Sequence, residues 1–554
     1  MKKGNFFEIF LAFFIFLFIT LIFFIPLLSN LSTKIINDYD GLHNVWCLNA
    51  IIQNLLSSGG KALLSPEKLM EGNIFYPYHY SIAFNDPFIT DSLIALPFFK
   101  ATGEPLVAFN VNLVVSQLLL LFFSFLFLFE LCSNLIISLL FSLLFSFSEI
   151  RLHYFYVGHL NMFSLFWVPL AGFSLLRLAN TSKPIFIYLF FFSFSAQVLN
   201  SFLGGYFIIF LTISLVIFSQ KIRQAIKDNL IHFLFGGVVT IAVTFPVIRL
   251  YLHISNLYHY SRSIRDAIHF SLSPEELLTK KFFSPALFVT FLATFVRFIF
   301  KKKKEKKISF FLFLSAFFLL MALGPALHFF FKTIKISFLG KTFPIPLPYA
   351  IFYYLLPGFK GFRTPSRWIF MFGFSLASFS AMVISDFLAK QSKIKRIFVY
   401  LFLSFLFLFS FPVPKNYFSF PAIKNYPAVY YWLKDQTGKV ILEIPIYYWG
   451  DFVNGKKEPA QMVYSLLHKK RTVNGYGSFS PKEWEDWIVF LRRDLPSQES
   501  IFKIKESGVD YLVVHQDELK DFWQKDYQKK TELIKASSLL REIYKDDKDT
   551  VYSF

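Results

Sequence analysis

FFEIFLAFFIFLFITLIFFIPLL, residues 6–28, decides the fold class. It carries a single charge, Glu8, and is long enough to cross a hydrocarbon core of roughly 30 Å. It is too long for the apolar part of a signal peptide, and no small-residue cleavage site follows. It therefore reads as a retained spanning helix. Similar runs recur at 106–130, 135–150, 159–177, 184–201, 206–219, 230–250, 284–300, 308–330, 366–389 and 396–413, about eleven in all. Gly204 and Gly205 are expected to form a tight turn before the run at 206. Hydrophobic residues make up 55% of the 554, Phe occurs 79 times, and the mean hydropathy is +0.50. The chain reads as a polytopic α-helical membrane protein.

The net charge of +20 resembles a nucleic-acid signal, but its placement argues otherwise. Residues 414–554 are almost balanced, with 22 Lys and Arg against 20 Asp and Glu. The excess sits in short connections: Lys2 and Lys3, Arg177 to Lys183, KIRQAIKD (221–228), KKKKEKK (301–307) and KQSKIKR (390–396). Basic residues resist translocation, so these clusters mark the cytoplasmic side together with the N-terminus. The long segments 29–104, 251–282 and 331–365 and the C-terminal part then lie outside. No nucleic-acid partner is implied. Cys47 falls in an outside loop and Cys132 in an inside turn, so no disulfide or zinc framework follows.

Two parts are expected: 1–413, the membrane part with its outside loop 29–104, and 414–554, a small extracytoplasmic α/β domain. In the latter KVILEIP (439–445) and DYLVVH (510–515) read as buried strands. PKEWEDWIVFLRRDL (481–495) and SQESIFKIKESG (497–508) read as helices, the second stopped by Gly508. There is no Gly-rich phosphate loop.

The polar chemistry is expected on the outside face. NDYDGLHNVW (37–46) places Asp38 and Asp40 just beyond the first span. Two such carboxylates bind a divalent metal ion or supply a general base; equally, they solvate the loop and cap the next helix. Val45, Leu48, Ile52 and Leu55 recur at helical spacing, which predicts an amphipathic helix on the membrane surface over 41–56. IFYPYHYSIAFNDPFITDS (74–92) carries Asp86 beside Pro87. SEIRLHYFYVGHLN (148–161) brings Arg151, His153 and His159 to one helix end. PGFKGFRTPSRWIF (357–370) brings Lys360, Arg363 and Arg367 to the outside, against the positive-inside bias. These three snorkel to headgroups or grip an anion, and Arg suits bidentate binding of phosphate.

Several pieces of the sequence follow one another in a familiar order. They are Asp40 with Trp46, FYPYHYSIAFNDP (75–87), Arg151 through GHLN (158–161) to WVPL (167–170), GFRTPSRW (361–368), VNGYGSFSP (473–481) and GVDYLVVH (508–515). In this the chain resembles the GT-C superfamily of membrane glycosyltransferases, and more narrowly the YfhO-like and PMT/ArnT-like bacterial membrane proteins. His43 stands three residues after Asp40 where the family pattern has four, so no role is transferred to it. The resemblance implies a GT-C-like fold and a polyprenyl-phosphate-linked sugar donor. Transfer to a glycan, lipid or protein acceptor would occur on the extracytoplasmic side with inversion. It further implies Asp40, helped by Asp38, as catalytic carboxylate; Asp86, His159, Arg151, Arg363, Arg367 and Lys360 toward substrate; and Asp38, Asp40 and Asp86 as candidate ligands of a divalent metal ion. A lipid or polysaccharide transporter and a non-catalytic envelope scaffold are the other readings. Against transport, ionisable residues within the spans are few, and Glu130 and Asp386 lie near inside ends.

Overall fold

The computed structural model describes residues 4–279, 281–303, 305–330, 332–338, 340–414, 416–447 and 457–554. Lys304, within the KKKKEKK cluster, lies outside the described residues. Among the described residues five helices are long and apolar enough to cross a membrane: Phe7–Leu28, Pro105–Cys132, Leu160–Thr181, Leu230–Leu257 and Pro365–Ala389. Two further pairs pass the same test together but bend, Leu135–Ser146 with Glu149–Tyr156 by 41° and Phe202–Phe218 with Gln220–Asp228 by 101°. Ile185–Val198 and Pro285–Phe300 are shorter apolar helices. This is a multi-pass membrane protein.

The chain divides into two compact units. The first comprises Met1–Ser29, Asn112–Phe245 and Ser261–Lys415. Its helix Ile369–Ala389 packs against Leu135–Ser146, Pro285–Phe300 and Lys306–Ala322. Aromatic rings fill the joints. Trp368 is wholly buried among Phe207, Phe210 and Phe318, at centroid distances of 4.8, 5.0 and 5.8 Å. Such packing and dispersion contacts hold helices together where lipid offers no hydrophobic contrast. Gly204 and Gly205 do not form a turn; they lie in the first turn of the helix Phe202–Phe218. A Cβ on Gly204 would stand 2.4 Å from the Gln197 amide, and one on Gly205 2.8 Å from Val198. They are small because the preceding helix end passes close by. KIRQAIKD is not an open loop but a short helix, Gln220–Asp228, started by the Ser219 side chain accepting from Ile222 N at 3.3 Å. Glu130 is paired with Arg177 at 3.2 Å and Asp386 with Lys301 at 2.7 Å. Both acids are thus neutralised by residues of the basic clusters.

The second unit comprises Asn30–Val111, Pro246–Tyr260 and Asn416–Phe554. The segment after the first apolar helix and the C-terminal segment therefore fold together. The strands read from sequence are present as Val440–Ile444 and Tyr511–His515, and the helices as Lys482–Asp494 and Gln498–Glu506. Val440–Ile444 runs parallel to both Tyr511–His515 and Arg471–Thr472. Asp549–Ser553 adds antiparallel to Tyr511–His515, and Arg541–Lys545 closes that edge as a hairpin. Ile441, Val513 and Val551 meet Val429, Tyr430 and Leu433 in the core beneath this sheet. A second, two-stranded pairing joins Lys34–Ile35 to Phe418–Ser419.

The amphipathic helix predicted over 41–56 is present as Asp40–Ser57, but it does not lie with one face open. Gly41 through Ile52 are all buried. The amides expected to face water instead satisfy carbonyls inside the unit: Asn49 donates to Pro105 O at 3.1 Å, Gln53 to Leu466 O at 3.0 Å, and Asn54 to Leu69 O and Glu71 O at 3.0 and 2.8 Å. Buried polar groups demand such partners.

Candidate active site

In the second unit, the Asn37 side chain braces the turn before the helix Asp40–Ser57. Its Oδ1 accepts from Tyr39 N at 2.9 Å and Gly41 N at 3.3 Å. Asp40 Oδ1 accepts a hydrogen bond of 2.8 Å from the Tyr476 hydroxyl. The Tyr476 ring packs against Tyr39 at 4.7 Å and edge-on to His43 at 5.0 Å. His43 Nε2 in turn lies 3.5 Å from Cys47 Sγ. Burial pushes the Cys47 thiol well up, and the Asp86 carboxylate nearby adds to this. Asp86 also acts on Tyr251, whose hydroxyl donates to Asn85 O at 2.7 Å. Asp40 and Asp86 thus belong to one chain of contacts through Tyr476, His43 and Cys47.

Two of the sequence motifs are hydrogen-bonded to each other here. Phe75 N donates to Asn474 O at 3.0 Å, Tyr76 N to Thr472 O at 2.9 Å and Thr472 N to Asn73 O at 2.7 Å. Ser478 N donates to Asn85 Oδ1 at 2.8 Å. Asn73 also accepts from Trp46 Nε1 at 3.1 Å. Asp40 with Trp46, FYPYHYSIAFNDP and VNGYGSFSP are parts of a single construction. Sequence reasoning missed Tyr476, Asn85 and Tyr251 as members of the site.

Among the described residues no three His, Cys, Asp or Glu side chains come together to hold a metal ion. Asp38, Asp40 and Asp86 therefore do not form a three-ligand set.

In the first unit, the segments carrying the other predicted residues adjoin. Tyr154 OH reaches Ser366 O at 3.5 Å and its ring stacks on His159 at 6.3 Å. Arg367 and Glu276 act electrostatically on the same phenol. The Arg363 guanidinium lies over the Phe270 ring at 5.2 Å. His153 packs on Phe282 at 5.0 Å, and Lys281 Nζ sits 4.9 Å from that ring and 2.9 Å from Glu276. Lys281 was not anticipated from sequence. Arg151 is wholly buried; it bonds to Phe163 O and lies 3.6 Å over the Phe163 ring. It holds the segment to Phe163 and is not displayed at a surface. Lys360 is exposed, 5.9 Å from the Tyr354 ring.

No family model and no curated protein matches the chain. Solved structures do. The chain is similar to arabinofuranosyltransferase AftD from Mycobacteria, with a TM-score of 0.61 and 14% identity over 98% of this chain and 39% of AftD. It is similar to the oligosaccharyltransferase of Archaeoglobus fulgidus, with a TM-score of 0.53 and 11% identity over 100% of this chain and 74% of that one. It is also similar to ArnT from Cupriavidus metallidurans bound to undecaprenyl phosphate, with a TM-score of 0.50 and 10% identity over 100% of this chain and 98% of ArnT. The chain spans well under half the length of AftD. It has the fold of the GT-C membrane glycosyltransferases.

Proposed function

We propose that this protein is a membrane glycosyltransferase that moves a sugar from a polyprenyl-phosphate carrier to an acceptor hydroxyl on the extracytoplasmic face. The observation that carries the reading is Asp40. In a chain of this fold, its carboxylate stands just after the first apolar helix and is held by a hydroxyl from the far end of the sequence. The topology that goes with it has about eleven spans, a cytoplasmic N-terminus and an outside C-terminal domain. The lipid carrier is supported by the undecaprenyl phosphate bound to the similar ArnT.

The reaction is a single displacement. The acceptor oxygen attacks the anomeric carbon while its proton passes to Asp40, a general base. The bond from that carbon to the phosphate oxygen breaks, and the polyprenyl phosphate leaves with the bonding pair. The configuration inverts. Asp38 assists Asp40, Asp86 and His159 orient the sugar, and Arg363, Arg367 and Lys360 take the phosphate charge, which stabilises the leaving group. The bidentate fork of Arg suits that task.

The test is transfer by the purified full chain in vesicles given undecaprenyl-phosphate-linked labelled sugar and acceptor extracts of the envelope. Label appearing on an acceptor supports the proposal. Label carried across intact identifies a transporter, and neither outcome leaves a scaffold.

A further inference from the structure

The segment that delivers Tyr476 is anchored independently of its hydroxyl. The backbone bonds to Asn73, Phe75 and Tyr76, and that of Ser478 to Asn85, fix it on both sides. Gly475 makes this close approach feasible: a Cβ there would stand 2.9 Å from the Phe75 ring. Packing of the ring on Tyr39 and His43 fixes its orientation. A stitching role for the hydroxyl is therefore already filled by other contacts. What the hydroxyl supplies is a donor at 2.8 Å to Asp40 Oδ1, beside a hydrogen bond with the Tyr39 side chain.

We infer that Tyr476 is a positioning residue for Asp40, which makes the C-terminal segment an integral part of the reaction site. This rests on the glycosyl-transfer reading. A phenol donor holds the carboxylate in one rotamer and favours its charged form. Burial, with Asp40 and Tyr39 beside it, pushes the Tyr476 phenol well above its ordinary value, so it remains a donor throughout the working range. Ionisable groups near Asp40 include Asp38, Tyr39 and His43 on its own segment, with Cys47, Asp86 and Tyr251 following along the contacts of His43.

The experiment uses the purified full chain in vesicles with undecaprenyl-phosphate-linked sugar as donor. Tyr476→Phe keeps the ring and removes the donor. Turnover should fall about tenfold, as for loss of a hydrogen bond to a charged group, with donor KM little changed. The acid limb of the pH–rate profile should move up by about one pH unit. In an Asp40→Asn background the same substitution should change turnover less than about twofold, because coupled residues are non-additive. Should Tyr476→Phe fold poorly, 3-fluorotyrosine at 476 retains every contact and is a stronger donor, so it should move the acid limb down. Equal losses in both backgrounds, or an acid limb indifferent to both replacements, would overturn the positioning role. Absence of transfer by the unaltered protein would instead overturn the glycosyltransferase reading, and this role with it.

Discussion

Asp40 and Tyr476 are separated by 436 positions. A carboxylate pair just after a span is visible in sequence, whereas a tyrosine that reaches it from the opposite end of the chain is not. Nor could spacing tell that the Asn37 side chain braces the helix-starting turn. The cations divide in the same way. Arg363 and Arg367 stand out because basic residues in a segment expected outside run against the positive-inside bias. Arg151 looked similar in sequence but is wholly buried, with Nη2 bonded to Phe163 O and its guanidinium over the Phe163 ring. If Arg363 and Arg367 grip the carrier phosphate through paired hydrogen bonds, Arg→Lys at either position should raise the donor KM about five- to tenfold despite conserving charge. Donor titration in vesicles measures this; unchanged KM in both variants would assign the pair to lipid headgroups alone.

At the scale of elements, apolar runs and strand composition were readable, but the surroundings of each element were not. The helix Asp40–Ser57 shows amphipathic spacing, yet its polar face is covered because Asn49, Gln53 and Asn54 find carbonyl partners. Gly204 and Gly205 suggest a turn locally, while the neighbouring helix end requires their smallness. The sheet holds a buried charge network that composition does not reveal. His515 bonds to Asp549 at 2.7 Å and Glu443 at 2.9 Å. Burial alone would lower its pKa, but Asp549 and Glu443 outweigh that and push it to about 10. Glu458 is pushed up from 4.5 to about 8 by burial and by Glu443. Folded Glu458 therefore keeps a proton that the unfolded chain has released, so its contribution makes stability fall as pH rises from about 4.5 to about 8. His515 adds a further fall from 6.5 toward 10, since its stabilisation is full below the lower value. Glu458→Gln, neutral throughout, should leave the melting temperature near pH 4.5 unchanged and raise it near pH 8 by about 2–4 °C per kcal/mol recovered. Scanning fluorimetry of the purified chain at the two pH values measures this, and an equal shift at both would contradict the assignment.

For the whole molecule, the fold class followed from the first apolar run and its repeats. The number of spans is harder to read, because Leu135–Ser146 with Glu149–Tyr156 and Phe202–Phe218 with Gln220–Asp228 bend within an apolar stretch. The composition change near residue 414 suggested a separate C-terminal domain. It did not reveal that Asn416–Phe554 shares a compact unit with Asn30–Val111 and Pro246–Tyr260, since long-range pairing leaves no local pattern. The proposed orientation is testable with single cysteines at exposed positions in a background lacking Cys47 and Cys132. An impermeant maleimide should label Lys529→Cys on intact cells and Lys302→Cys only after permeabilisation. The reverse pattern would invert the topology. The central claim, glycosyl transfer with Asp40 as base, is tested most directly by Asp40→Asn, which preserves size and hydrogen bonding. Measured in vesicles with undecaprenyl-phosphate-linked sugar, turnover should fall by about 10²–10⁴, with donor binding and melting temperature retained. A folded Asp40→Asn protein that transfers sugar at the unaltered rate would contradict the account.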